Sequence, residues 1–454
     1  MKQLLAYCLS IILCVSFTGC MENYLDLYPE DKITSASFPE NESDIKLLLN
    51  GVYAQLREKE VYNQGLFGFG ITDGATPNAF NWGTDEVFNK LGAGRLSSSD
   101  GGVVTYRWKR CYEIISRANY LLACMDLVDL SEEAKAKYSG ETHFLRGLAY
   151  SVLAETYGGV PIILTDISTE EARSLKRASL EETWQQALDD YEVAITNLGV
   201  DAPEPGRATK GAALGMKMRA YLYQGKYKEV LSCVEQIDAL KKYGLFHSYE
   251  GLFDPANENN KEVLFDIQYI EGENSQGSYI DQYCGTGTGS WTRGSRYVPT
   301  DDLVAAYETI DGSPVDPENP YENRDPRLGF TAVLPGSYFL GYRFPNYLYP
   351  GGAFNHAGNR LKHLSTRKYR IQDESKLPPS GQSYINDIIL RYADVLLSKA
   401  EAIIETNGSV ADAIAILNRI RTERDDVKIS LLPTSMSREE AREKVRHERR
   451  IGQT

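Results

Sequence analysis

Two distant stretches of the chain carry the same apolar pattern. Residues 225–237 (GKYKEVLSCVEQI) align without gaps on residues 408–420 (GSVADAIAILNRI). Each stretch begins with a glycine and follows another segment of helical periodicity. The apolar residues of those preceding segments are Leu214, Met218, Tyr221 and Leu222, and Ile389, Tyr392, Leu396 and Ala400. A single helix pair of this kind cannot cover its own apolar face, so the sequence predicts pairs that stack on neighbours or on another layer.

The repeated unit is therefore a helix, a glycine-containing turn and a second helix, which is typical of a tetratricopeptide (TPR) repeat. The alternative is a chance similarity between two amphipathic helices. A further helix is predicted in HFLRGLAYSVLAETY (143–157), whose apolar residues recur at the spacing of one helix face. Gly158 and Gly159 supply its C-terminal stop, with Pro161 beyond.

Residues 244–390 have a different composition, rich in Gly, Pro, Asn and Tyr, with only short apolar runs such as EVLFDIQY. A loop-rich insertion of this length in a helical protein is usually functional. We expect ligand contacts to concentrate there and not on the repeats.

The first 19 residues predict a secretory leader. Lys2 is the only charge before Cys20, and the segment from Leu4 to Val15 is mostly apolar. That run is short for a membrane span, which needs about 20 residues. A retained membrane anchor is the alternative.

Phe17-Thr18-Gly19-Cys20 resembles the lipobox of bacterial lipoproteins, with Phe17 in place of the usual leucine. The resemblance implies that the chain is cut before Cys20 and that its thiol is acylated. Each buried CH₂ of an acyl chain contributes about 0.8 kcal/mol to membrane binding, so several chains hold a protein on a membrane. Ordinary cleavage that leaves a free or buried thiol is the alternative.

The net charge restricts the possible partners. A formal net charge of −14 argues against a nucleic-acid partner, whose phosphates would repel the chain.

Tyrosine is abundant, with 30 Tyr against 14 Phe and 4 Trp, and its flat apolar face with a polar edge suits hydroxylated ligands. Most of these tyrosines are expected to pack between helices. The cysteines after Cys20 lack a C-x-x-C pair and are predicted to be buried, although export could oxidise them: Cys111, Cys124, Cys233 and Cys284.

Motifs for metal, nucleotide or nucleophile chemistry are absent from the sequence. It contains no H-E-x-x-H, no G-x-S-x-G and no Walker motif, so we predict no metal and no cofactor. The glycine-rich run 284–295 carries Trp291 where a phosphate loop would enter a helix, which favours a loop presenting Trp291 and Arg293. The sequence alone leaves open a pair of opposed carboxylates such as a glycoside hydrolase uses. Asp301, Asp302 and Asp325 are more simply interpreted as turn and cap residues.

Several segments, taken in order, resemble the SusD/RagB family of outer-membrane nutrient-binding lipoproteins from Gram-negative bacteria. They are YLDLYPEDKIT, LLNGVYAQL, CYEIISRANYLL, FLRGLAYSVLAETYGGVP, GRATKGAA, YLYQGKYKEV, NKEVLFDIQY, RYADVLLSKAEA and LNRIRTER. The resemblance implies a mainly α fold in which four TPR-like helix pairs, forming a right-handed superhelix, pack against an irregular, loop-rich half with few short strands. It divides the chain into a signal peptide (1–19), an N-terminal region (20–225) and a C-terminal region (226–454).

The resemblance also implies a function, namely capture of a nutrient, most often a glycan, on the outer face of the outer membrane. The implied partner is a SusC-like TonB-dependent barrel, and the family binds without hydrolysing. Three alternatives stay open: a peptide ligand in the same fold, an anchored glycoside hydrolase, and a TPR scaffold for other proteins.

The resemblance places ligand-binding residues in the loop region after the first helices and in the middle insertion. The residues found there are Asp73, Asn78, Trp82, Trp291 and Arg293. For each of them a packing or turn role is the alternative.

Members of the family usually continue past the HERR segment, whereas this chain stops at HERRIGQT. We therefore expect a C-terminal region that is incomplete at its end. The last helix, with Ala441 and Val445 on its inner face, is expected to lack part of its cover.

Overall fold

The protein was analysed as a computed structural model, which describes residues 38–57, 73–81, 90–271, 277, 278, 280, 297–344, 346, 348, 364–379 and 382–453. The helices are α1 (Glu42–Tyr53), α2 (Val103–Cys124), α3 (Glu132–Tyr157), α4 (Thr169–Ser174), α5 (Leu180–Asn197), α6 (Lys210–Tyr223), α7 (Tyr227–Ala239), α8 (Asp301–Ala306), α9 (Pro326–Thr331), α10 (Tyr392–Glu405), α11 (Val410–Thr422) and α12 (Arg438–Gln453). The strands are β1 (Ala79–Asn81), β2 (Val263–Ile267), β3 (Tyr297–Pro299), β4 (Ala332–Val333), β5 (Tyr338–Phe339), β6 (Tyr342–Arg343), β7 (Ser365–Thr366) and β8 (Asp387–Arg391). The mainly α prediction is confirmed.

Local sequence signals fix the ends of the central helix α3. The Ser131 hydroxyl accepts a hydrogen bond from the Ala134 amide at 3.1 Å, which caps the N-terminus. Glu132 and Glu133 lie in the first turn, where carboxylates complement the helix dipole. The helix ends at Gly158, whose φ of 74° suits glycine. The predicted stop is confirmed.

The long helices form one layer in which each packs on its neighbours along the chain. α3 contacts α2 and α5, α5 contacts α6, and α10 joins α7 to α11 and α12. At Gly147 of α3 an added Cβ would lie 3.0 Å from the Tyr191 ring and 3.1 Å from the Ala187 carbonyl oxygen on α5. The small residue therefore allows the close approach of these helices, and the predicted stack of helix pairs is confirmed.

The two repeated units are the pairs α6–α7 and α10–α11. In the first turn Gly225 adopts a φ of 68°, whereas in the second the left-handed residue is Asn407 with a φ of 59°. The amide following each of them reaches back to a carbonyl oxygen of the last helical turn: Lys226 to Tyr221 at 3.0 Å, and Gly408 to Ile403 at 2.8 Å. The helices thus align as predicted, but the second turn is one residue longer. Its glycine, Gly408, follows the left-handed residue instead of being that residue.

One residue of the predicted repeat lies outside the helices. Ile389 belongs to strand β8, which pairs antiparallel with β2, and helix α10 starts only at Tyr392. The helical prediction for Ile389 was wrong, because pairing with the apolar segment VLFDI holds this position extended. Ile389 is nevertheless buried in the main core.

The other half of the protein, drawn mostly from residues 244–390 and joined by strand β1, is built from short pieces. Its described strands have two to five residues and form the antiparallel pairs β1–β3, β2–β8, β4–β7 and β5–β6. Small apolar clusters support them, one around Phe339 and Phe344 and another around Leu303 and Ile451. The loop-rich half is thereby confirmed.

Helix α12 joins the two halves. Ala441 and Val445 are buried in the main helical core, and Ile451 is buried in the loop-rich half. The expectation that Ala441 and Val445 lie on an incompletely covered face was therefore wrong; packing against α10 and α11 covers them.

Buried ion pairs reinforce this junction. Glu448 of α12 accepts hydrogen bonds from Arg327 of α9 and, at 3.2 Å, from Arg421 of α11. Burial would raise the pKa of Glu448, but the two guanidinium groups outweigh it and hold the pKa below its ordinary value. The carboxylate stays ionised, and it links α12 to its neighbour α11 and to α9, which lies 121 residues earlier.

The described cysteines agree with the sequence prediction. Cys111, Cys124 and Cys233 are free and buried, while Cys284 lies outside the described residues. Burial raises the pKa of the Cys111 thiol to about 12. None of the described helices combines the length and the apolar character that a membrane span requires.

Candidate ligand-binding site

The two segments predicted to carry ligand contacts meet at the ribbon formed by β1 and β3. The strands run antiparallel, with Ala79 opposite Pro299, Phe80 opposite Val298 and Asn81 opposite Tyr297. Asn81 directly precedes Trp82, and Tyr297 follows the segment that contains Trp291 and Arg293. The ribbon thus joins segments that are more than 200 residues apart in the chain.

Thr300, the residue after β3, forms hydrogen bonds to the segment just before β1. The Thr300 amide donates to the Asn78 carbonyl oxygen at 3.0 Å, and the Thr300 hydroxyl donates to the Pro77 carbonyl oxygen. The same hydroxyl accepts from the Leu303 amide at 3.1 Å and caps α8. One side chain therefore links the ribbon to a helix start. Asp301 and Asp302 lie in that helix's first turn and Asp325 caps α9, so the turn-and-cap prediction is confirmed.

Asn78 is half-buried and its side chain faces the last helix. The Arg450 Nε donates to the Asn78 Oδ1 at 2.7 Å. Because Asn78 makes this contact, it has a role in positioning the ribbon in addition to any role in ligand binding.

Asp73 lies at the start of the same segment, in a short helical turn. Its carbonyl oxygen accepts from the Thr76 amide at 2.9 Å and from the Thr76 hydroxyl at 2.7 Å. Burial raises the pKa of the Asp73 carboxyl to about 6, although the charge of Lys368 opposes the shift. The turn interpretation thus describes the backbone of Asp73, and burial of its carboxyl group raises the pKa above its ordinary value.

Lys368 is buried beside this carboxyl group in a cluster of aromatic side chains. Its Nζ lies 4.4 Å from the ring centroid of Phe253, 4.9 Å from that of Tyr369 and 3.3 Å from the Tyr249 hydroxyl. Burial, together with nearby arginines, holds the pKa of Lys368 well below its ordinary value. The aromatic faces and the charge of Asp73 offset part of the cost of burying this group.

Three predicted ligand residues, Trp82, Trp291 and Arg293, lie outside the described residues, as does Cys20. Among the described ones, Asp73 and Asn78 share one segment. Sequence reasoning missed Phe80, which is 45% exposed on β1, and the supporting residues Arg450 and Thr300. The proximity of Phe80 to Trp82 in NAFNW was a usable signal. No local signal pairs Asn78 with a residue 372 positions away.

Two clefts lie on either side of the loop 203–207. The first, of about 290 Å³, is lined by Asn50, Tyr53, Gln268 and Ile270 among others. The second, of about 330 Å³, is lined by residues that include Tyr243 and Asn259. In the part of the chain that the structure describes, no group of three or more His, Cys, Asp or Glu side chains is arranged to hold a metal ion.

Comparisons with known proteins agree with this architecture. Residues 261–452 match the family model described as the SusD family, and residues 23–222 match one described as "Starch-binding associating with outer membrane". The chain is 26% identical over 457 residues to SusD-like protein P25 of Formosa agariphila, covering 92% of this chain and 81% of that one.

Solved structures show the same fold. A SusD-like carbohydrate-binding protein of Bacteroides fragilis superposes with a TM-score of 0.79 at 27% identity, covering 90% of this chain and 83% of the other. A second SusD-like protein of the same organism gives a TM-score of 0.79 at 26% identity, with 94% and 86% covered. On the strength of the helical stack, the loop-rich half and these matches, the chain belongs to the SusD/RagB family.

Proposed function

We propose that this protein binds a glycan on the cell surface and delivers it to a SusC-like TonB-dependent transporter of the outer membrane. The observation that carries the proposal is the β1–β3 ribbon, which joins the segments preceding Trp82 and following Trp291. Support for the ligand class comes from the Bacteroides fragilis relative, which is described as a carbohydrate-binding protein.

The ribbon suits sugar binding because its strands carry or adjoin aromatic residues in the sequence. Phe80 is exposed on β1, Trp82 follows two positions later, and Trp291 stands six positions before Tyr297. An aromatic ring stacked on the apolar face of a sugar contributes about 0.5–1.5 kcal/mol beyond its buried area. Several such contacts, with Asp73, Asn78 and Arg293 as hydrogen-bonding groups, give the weak multi-point binding that a surface receptor needs.

The membrane link in this proposal is the lipid on Cys20, with the protein on the outer face. The lipobox-like sequence and the family-model description, which mentions the outer membrane, support it. The partner would be the transporter barrel, which the protein covers as a lid.

The proposal assigns binding and no hydrolysis to the protein. A peptide is the second candidate ligand, because a net charge of −14 favours cationic peptides. A screen of the mature protein against immobilised glycans and against lysine-rich peptides separates the two. Glycan binding without release of reducing ends is expected. Binding of peptides alone, or steady release of new reducing ends, would contradict the proposal.

A further inference from the structure

The cleft of about 330 Å³ beside Tyr243 is well separated in sequence from the ribbon segments. It lies between the loop 201–209, the residues after α7 and the residues around β2. Its size is at the lower end of the range for ligand pockets, about 300–1,000 Å³.

The walls of this cleft are fixed. The Lys46 ammonium donates to the Glu204 carboxylate at 2.6 Å, and Arg207 donates to the Asn50 Oδ1 at 2.5 Å. The Lys242 ammonium donates to the Val200 carbonyl oxygen at 2.8 Å, which ties the residues after α7 to the start of the loop. A cleft with walls held in this way requires little reordering on binding, which lowers the entropic cost.

A glycine allows the loop between the two clefts to approach Gln268, which lines the first cleft, closely. Gly206 has a φ of 78°, and a Cβ there would lie 2.3 Å from the Gln268 Cγ. Gln268 in turn donates to the Asn259 Oδ1 at 3.2 Å and to the Asp266 Oδ1 at 2.7 Å. The loop thus holds Gln268, and Gln268 orients Asn259.

Hydrogen-bonding groups surround one aromatic ring. Tyr243 is half-buried, and its hydroxyl lies 3.2 Å from the Thr209 hydroxyl. Asn259 and Lys261 are exposed at the rim, and the Lys261 ammonium makes no ion pair or hydrogen bond to the described residues. The Lys242 ammonium lies 5.9 Å from the centroid of the Tyr243 ring, so a ligand meets the remaining ring surface. An aromatic surface flanked by amide and ammonium donors matches a ring that carries hydroxyl groups.

The charges of the cleft lining indicate a neutral ligand. Three cationic and three anionic side chains line it, namely Arg207, Lys242 and Lys261, and Asp201, Glu204 and Asp266. No excess of either sign is present to recognise an anion or a cation.

We propose that this cleft, here named the Tyr243 cleft, is a second carbohydrate site that takes one neutral sugar ring, independently of the ribbon. The ring lies against Tyr243 and accepts hydrogen bonds from Asn259 and Lys261. Such a site would hold a second part of a branched or folded glycan, or a free sugar.

The test uses the full mature protein and a panel of neutral monosaccharides: glucose, galactose, mannose, xylose, rhamnose and fucose. Saturation-transfer NMR measures the affinity of each sugar for the wild type and for the variants Asn259→Gly and Lys261→Ala. Both variants spare the core, since Asn259 has a φ of 56° that glycine adopts readily and Lys261 is exposed. Lys228→Ala, which changes an exposed lysine on α7, is the matched control.

We expect at least one sugar to bind, with a loss of about three- to ten-fold in affinity for each cleft variant and none for the control. Binding should persist when Trp82 and Trp291 are both replaced by Ala. If no sugar of the panel binds, or if the cleft variants bind as the wild type does, the inference is wrong. Binding that disappears only with the tryptophans would overturn it while leaving the ribbon proposal intact.

Discussion

The Arg450 Nε donates a hydrogen bond to the Asn78 Oδ1 at 2.7 Å, so the last turns of α12 hold the segment that leads into the β1–β3 ribbon. The same helix is anchored in both halves of the protein, through Val445 in the helical core and Ile451 in the loop-rich half. The position of the ribbon therefore depends on the C-terminal helix.

Replacement of Arg450 by Ala should weaken glycan binding by a few-fold and lower the free energy of unfolding by about 1 kcal/mol, the value of one hydrogen bond. Arg450→Lys keeps a donor and should recover part of the affinity. Arg446→Ala is the control, because Arg446 is exposed and pairs only with Glu443 at 2.8 Å among the described residues. Calorimetric titration with the glycan found in the screen measures the affinity, and equal affinities for Arg450→Ala and the control would refute the positioning role.

Asp394 is the buried carboxylate that links α10 to α6 and α12. It accepts from Arg219 at 2.8 Å and from Arg449 at 2.7 Å. Burial would raise its pKa, but these two arginines lower it to about 2. A depressed carboxyl pKa contributes stability above the unfolded pKa, and the contribution is lost as the pH falls through the folded pKa.

Asp394→Asn should therefore lower the free energy of unfolding by about 3 kcal/mol at pH 7, because two guanidinium groups lose their buried partner. The difference between variant and wild type should shrink between pH 4 and pH 2, where the wild-type carboxylate becomes protonated. Urea unfolding at several pH values measures both effects. A difference that does not change over this pH range would contradict the assignment.

The carboxyl groups of Glu258 and Asp266 have raised pKa values, in contrast to Asp394. Burial raises the pKa of Glu258 to about 7 and that of Asp266 to about 6. Asn386 links the two carboxyl groups. Its backbone amide donates to Glu258 at 2.9 Å, and its side-chain amide donates to Asp266 at 3.0 Å. A raised carboxyl pKa contributes stability below the unfolded pKa, which is lost as the pH rises through the folded pKa.

The contribution of Glu258 to the free energy of unfolding of the wild type should accordingly decline between about pH 4.5 and pH 7. Glu258→Gln retains an acceptor for the Asn386 amide and cannot ionise, so this variant should gain about 1–2 kcal/mol relative to the wild type on going from pH 5 to pH 8. Thermal unfolding at the two pH values tests this. Parallel stability curves for the two proteins would be inconsistent with a raised Glu258 pKa.

Cys20→Ala should move the protein from the membrane fraction to the soluble fraction. In the proposed anchor, acyl chains on Cys20 would supply the membrane affinity, at about 0.8 kcal/mol per buried CH₂. Cell fractionation and immunoblotting measure the distribution, with Cys233→Ala as a control at a buried cysteine of the described fold. Retention of Cys20→Ala on the membrane would disprove the lipid anchor.

The helical half of the fold was predictable because helix signals are local. Apolar periodicity identified α3, and a capping serine and a terminal glycine fix its ends. The pairing of β8 with β2 was not predictable from periodicity, since Ile389 fits a helical pattern as well as a strand. The extended conformation there depends on a partner strand more than 100 residues earlier in the chain.

The candidate site was predictable only in part. Trp82 and the segment 284–295 were recognisable from aromatic residues among glycines, and the family resemblance drew attention to Asp73 and Asn78. Their support by Arg450 and Lys368 arises from tertiary contacts that leave no local trace in the sequence. Neither could the sequence locate the Tyr243 cleft, because its walls come from three separate segments.

The central claim is that the aromatic residues flanking the ribbon capture a glycan. The most direct measurement compares the wild type with the double variant Trp82→Ala, Trp291→Ala on a glycan array, with circular dichroism to show that both are folded. We predict that the wild type binds at least one oligosaccharide and that the folded double variant loses at least ten-fold in affinity for it. Undiminished binding by the double variant would contradict the assignment of the ribbon as the capture site.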